Sequence, residues 1–89
     1  MKDNTKQELI RYKEHGIPTG DFLYAVLTNN LLAAFGCADE ENAMDMREIA
    51  KFVYDELPSI SHGTRERVGN WIRNKGLVGL EKKEITCNY

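Results

Sequence analysis

Residues 16–38 read GIPTGDFLYAVLTNNLLAAFGCA and hold the most apolar periodic stretch of the chain. From Asp21, the residues Phe22, Leu23, Val26, Leu27, Leu31, Ala34 and Phe35 recur at steps of three and four. That is the spacing of one helix face, not the alternation of a strand, and it predicts the core helix. Asn29-Asn30 falls inside it, and Asn favours caps and turns over helix interiors. The segment therefore either runs through or breaks into two short helices with Asn30 capping the second. Ahead of it, Gly16-Ile17-Pro18-Thr19-Gly20 is a turn, because Pro18 lacks a backbone donor and pushes Ile17 toward extended geometry. Thr19 is the expected cap of the helix that follows.

On the amino-terminal side, residues 4–15 are helix formers with Asp3 or Asn4 as cap and Gly16 as a left-handed terminal residue. The apolar stripe is thin, only Leu9, Ile10 and Tyr12, so this helix needs a larger surface to lean on. On the carboxyl-terminal side, Asp39-Glu40-Glu41-Asn42 opens a third helix, where the macrodipole favours negative charge. Its apolar face reads Ala43, Met46, Ile49, Ala50, Val53 and Leu57, and Pro58 ends it. Phe52 and Tyr54 fall off that stripe and predict a second buried face. After the loop Ser59-Ile60-Ser61-His62-Gly63, Thr64 caps a helix to Lys75 with Val68, Trp71 and Ile72 inward and Gly76 as terminator. The expected fold class is all-α, a single-domain bundle of four or five helices. The ordered core spans about residues 4–77, and residues 78–89 form a tail that is either flexible or docked through Ile85 and Tyr89.

Eighty-nine residues, 42% hydrophobic and 29% charged with net charge −2, make one small domain and exclude a large enzyme architecture. A chain of this size buries ~60–65% of its unfolded surface, so a monomer is held by only about 5–9 kcal/mol and association helps it. Size alone thus leaves oligomerisation open as an option. No run of 18 apolar residues exists and the amino terminus, MKDNTKQE, is polar, which predicts a cytoplasmic protein without a membrane segment. Cys37 and Cys87 form no C-x-x-C pair and have no His at zinc-ligand spacing, so reduced thiols, no metal site and no cofactor are expected.

Charge is uneven. Residues 39–57 carry seven carboxylates against two cations, and residues 59–76 carry four cations against one carboxylate. The acidic and basic helices either pair with each other or with copies in a second subunit, or the basic one receives phosphate. A helix start at Thr64, with Arg65 and Arg67 beside it, suits the last role, because free backbone amides and guanidinium forks both favour an anion. His62, in the loop just before it, is a candidate ligand contact; His15, at a helix end, reads as a dipole partner. Tyr12 serves either as a core residue or, with Arg11, as a stacking and phosphate-binding pair. No nucleophile beside an oriented base and no phosphate loop of the Walker or dinucleotide kind is present, so no enzyme is expected. A duplex reader is disfavoured by the acidic balance.

The stretch from Leu9 to Leu77 resembles a large group of small phage-encoded helical proteins. Their pattern is RY-x-x-x-GIP-x-G-x-FL-x-AVL-x-N-x-L-x-x-A-x-x-x-AD-x-x-N, and FVYDELPS and GTRERVGNWIRNKGL match the second half. The resemblance extends to anti-CBASS sponges, which sequester a host cyclic dinucleotide alarm signal. It implies a homo-oligomer holding a cyclic dinucleotide such as 3'3'-cGAMP, bound between subunits and not cleaved. The matching positions are Arg11, Tyr12, Thr19 and Gly20, with His62, Gly63 and Thr64 in the loop. Relatives carry Trp-Gly-Ser-Pro where this chain has His62-Gly63-Thr64-Arg65, so a stacking role passes to His62 or is lost, and Arg65 gains a phosphate contact. Two other functions compete: a protein inhibitor that docks the acidic helix on a host enzyme, and a small DNA-binding regulator.

Overall fold

The acidic residues at the start of the third predicted helix find their partners at the amino terminus. In the computed structural model, which describes residues 1–80, the Met1 amine pairs with Glu48 and lies 3.6 Å from Asp45. Lys2 Nζ bonds Asp39 at 2.5 Å and lies 3.8 Å from Glu41. The acidic segment is thus neutralised in part by the first two residues of the same chain. These contacts raise the Lys2 pKa and lower that of Asp39, chiefly through the hydrogen bond they share.

All regular structure among the described residues is helical: α1 (Asp3–His15), α2 (Asp21–Leu27), α3 (Leu31–Cys37), α4 (Glu40–Met44), α5 (Met46–Glu56), a 3-10 turn (Ser59–Ser61) and α6 (Arg65–Arg73). Helical backbone resumes at 76–80. Among the described residues the four or five helices expected are therefore six α-helices and a 3-10 turn, followed by the helical backbone at 76–80. The break at Asn29-Asn30 is present: Asn29 takes a left-handed φ of 61° and the Asn30 side chain accepts the Ala33 N–H. A second break, not expected, divides the third helix at Asp45, whose ψ of 4° leaves the helical range. The Asp45 carboxylate faces the Met1 amine there, and short polar side chains compete with helical geometry.

Two of the predicted caps are absent. Lys2, not Asp3 or Asn4, occupies the position before α1, with no side-chain cap. Gly20, not Thr19, precedes α2; its N–H donates to Glu8 at 3.3 Å, while the Thr19 hydroxyl donates to the Gly20 carbonyl. Thr64 does cap α6, accepting the Arg67 N–H at 3.0 Å. Gly16 ends α1 in the left-handed region as expected. Helix α6 stops at Arg73, short of Lys75, and both Lys75 and Gly76 adopt positive φ.

The core comes from four helices: Leu9 and Tyr12 of α1, Leu23 and Leu27 of α2, Ile49 and Val53 of α5 with Leu57 just after it, and Val68 and Trp71 of α6. Phe22, Val26, Phe52 and Ile72 pack around it. Helix α3 contributes only Ala34, and Leu31 and Phe35, predicted inward, are 63% and 48% exposed. Tyr54, predicted to line a second buried face, is 81% exposed. At the middle of the core the Tyr12 hydroxyl donates to the Ser61 carbonyl at 2.5 Å, and the Trp71 indole donates to the Tyr12 carbonyl at 2.9 Å. Burial raises the Tyr12 phenol pKa strongly, so it stays a donor across the physiological range. Tyr12→Phe keeps the ring and leaves the Ser61 carbonyl without that donor. A loss of about 1–3 kcal/mol in urea unfolding is expected; a loss near zero would show the bond contributes nothing. Expectations for Ile85, Cys87 and Tyr89 lie outside the described residues. No helix among those described is long and apolar enough to cross a membrane.

Candidate functional site

The loop that follows α5 folds back over α2. Pro58 starts the 3-10 turn, and the Ser61 hydroxyl and N–H both donate to the Pro58 carbonyl, at 2.6 and 2.9 Å. Gly63 then reaches a φ of 110°, open to glycine and strained for other residues, and its N–H donates to the Leu27 carbonyl at 2.7 Å. This bond sets His62 and Gly63 beside the carboxyl-terminal end of α2. Between that end, α5 and the start of α6 lies an open cleft of about 350 Å³. Val26, Ala50 and Val53 form its apolar wall; Asn29, Tyr54, His62 and Arg67 supply the polar and aromatic groups.

Arg67 lies over the loop. Its Nη1 donates to the Ser59 and His62 carbonyls, each at 3.4 Å, and a Cβ on Gly63 would come within 3.2 Å of the same nitrogen. Bonds of that length are weak, so the guanidinium can turn to a better acceptor at small cost. His62 Nε2 is buried without a hydrogen-bond partner among the described residues. Its pKa is lowered, first by burial and further by the Arg67 charge, while a hydrogen bond to the Leu57 backbone acts in the opposite direction. The imidazole is therefore neutral at pH 7. Guanidinium, neutral imidazole and an exposed phenol ring together suit a ligand that carries an anionic oxygen, a hydrogen-bond donor and a flat face.

The lowered His62 pKa sets a pH dependence. Below about pH 6.5, its ordinary value, the unfolded chain binds a proton that the folded chain still refuses. Stability is thus full above that pH and falls as pH drops through 6.5 toward the lower folded value. His62→Gln should flatten the fall between pH 7 and 5 in urea titrations. An unchanged slope would place its origin in another group; Asp39 is not that group, since its contribution is full above the carboxylate range and is lost only at lower pH.

Of the residues singled out by sequence, the structure brings His62 and Arg67 together in this cleft. Arg11 and Arg65 are exposed and, like Thr19, Gly20 and Thr64, do not line it. Tyr12 is wholly buried, with its hydroxyl engaged by Ser61, so the core alternative is the one the structure adopts. The α6 start is also less open than supposed, because the Thr64 hydroxyl already takes the Arg67 amide. Sequence reasoning missed Asn29 and Tyr54. Tyr54 had a visible signal, its position off the apolar stripe of α5, but burial and exposure leave the same mark there. No group of three His, Cys, Asp or Glu able to hold a metal ion occurs among the described residues. No protein-family model, curated protein or solved structure matches the chain.

Proposed function

We propose that the protein is a phage counter-defence sponge: it binds a cyclic dinucleotide such as 3'3'-cGAMP in the host cytoplasm, as a homo-oligomer, and leaves it intact. The observation that carries this is the joint placement of Arg67, His62 and Tyr54 around one cleft. Arg67 takes a phosphate oxygen, the neutral His62 imidazole accepts from a ribose hydroxyl or base amine once its ring turns Nε2 toward the cleft, and Tyr54 offers a face for a base. The cleft volume sits at the lower end of the range for small-ligand sites, ~300–1,000 Å³. One protomer thus accommodates about one nucleotide half, and the remainder extends outward to another copy. Sequestration requires affinity and stoichiometry and no reacting group. The competing role of the acidic surface is weakened by the ion pairs that engage Asp39, Glu41, Asp45 and Glu48 within the chain.

Cyclic dinucleotide in hundredfold excess over its Kd should stabilise the fold by about 2.7 kcal/mol, a clear rise in thermal midpoint. The nucleotide recovered from the mixture should be unchanged by chromatography. Arg67→Glu should weaken binding by at least about tenfold, as expected for a charge-assisted contact to phosphate. Arg65→Glu, outside the cleft, should change it much less. No thermal response to any cyclic dinucleotide would refute the proposal, and a duplex shifted on a gel at moderate salt would replace it with the DNA-binding function.

A further inference from the structure

We infer that α3 is a seam between two copies of this chain, with Leu31, Leu32 and Phe35 of one protomer seated on the same residues of the other. The three side chains are neighbours at helical spacing and are 63%, 85% and 48% exposed. Helix α3 is seven residues long, packs on α2 and buries only Ala34, so its outer face is left uncovered within the protomer. The occupant is identified by charge. From Phe22 to Ala38 the chain carries no Asp, Glu, Lys, Arg or His, seventeen consecutive positions in a protein that is 29% charged. A partner with ordinary surface composition would leave its charges desolvated and unpaired against this face. A second α3 presents none, and pairing about a two-fold axis sets the same patch on both sides.

The seam also bears on the cleft. Val26, Asn29 and Ala50 line both the cleft and a second, apolar hollow of about 110 Å³, whose far wall is Leu31, Ala34 and Met46. The two hollows therefore adjoin across these shared residues, one on the Arg67 side and one on the α3 side. A copy docked on Leu31 borders the second hollow and adds a wall beside the cleft that one protomer leaves open. This deepens the oligomer half of the proposed function, and its test needs no nucleotide, so the two can fail separately.

Sedimentation of the full chain under reducing conditions, from about 1 to 100 µM, should give a mass above one protomer. Leu32→Glu should weaken association by at least about tenfold, as for loss of an interface anchor. Because Leu32 makes little contact within its own protomer, the circular dichroism spectrum of that variant should match the parent. Ile17→Glu, an exposed apolar position at the other end of α2, should leave the mass unchanged. A parent chain that sediments as a single protomer at 100 µM would overturn the proposal, as would a folded Leu32→Glu variant that still associates with parental affinity.

Discussion

Gly76→Ala is expected to be among the most damaging single-methyl changes in this protein, with a loss of about 2–5 kcal/mol and a thermal midpoint lower by on the order of 10–25 °C. Two effects add. Gly76 has φ +65°, where an L side chain meets its own backbone at a cost of about 1–2 kcal/mol. Its Cβ would also stand 2.6 Å from the Gly16 nitrogen and 2.8 Å from the Glu14 carbonyl oxygen, both main-chain atoms that no rotamer change relieves. Overpacking of that kind costs about 1–3 kcal/mol more. Gly16→Ala should behave alike, since its Cβ would lie 2.8 Å from both the Gly76 nitrogen and the Trp71 carbonyl oxygen. Gly16 at the end of α1 and Gly76 at the start of the segment after α6 thus bring the two into backbone contact. Gly69→Ala provides the contrast: a Cβ in the middle of α6 meets nothing, and about 0.5–1 kcal/mol of stabilisation is expected. Equal midpoints for Gly69→Ala and Gly76→Ala would show that no close approach exists.

Trp71→Ala should cost about 3–5 kcal/mol, a large share of the stability of a domain this small. The indole is 4% exposed at the point where α6 meets α1, and its N–H satisfies the carbonyl of Tyr12. Trp71→Phe retains most of the apolar contact and removes only that donor, so a smaller loss of about 1–3 kcal/mol is expected in the same urea experiment. The substitutions Tyr12→Phe and Trp71→Phe act on one chain of bonds, from Trp71 through Tyr12 to Ser61. Their effects should therefore fail to add, as for residues in one network. Additive losses, or an alanine variant as stable as the phenylalanine one, would mean that Trp71 does not organise this junction.

Much of the helix pattern was legible locally. The Gly16 terminus and the Thr64 cap each depend on one residue and its neighbouring backbone, so residue type and spacing suffice; at Asn29-Asn30 they allowed a break and a continuous helix alike, and the structure takes the break. Asp45 was not legible because its break faces the Met1 amine, distant in sequence. Tyr54 and Leu31 were misplaced for a different reason. Apolar periodicity says which residues share a helix face and not whether another element covers that face, and nothing among the described residues buries these two. His62 and Arg67 stood out as candidates through their charge and loop setting, whereas Asn29 and Tyr54 carried no mark of the cleft they help to line.

Sequence by itself determined the all-helical class, several of the helix termini and the separation of acidic from basic segments, because capping, turn chemistry and periodicity act over three or four residues. Only the tertiary structure decided that Tyr12 is core, that the acidic segment answers to Met1 and Lys2, and that His62 and Arg67 share a cleft with Asn29 and Tyr54. Those outcomes turn on bonds across long separations, such as Gly63 N–H to the Leu27 carbonyl and the Tyr12 hydroxyl to Ser61. Such bonds form only once the whole core has closed, and no local rule specifies them.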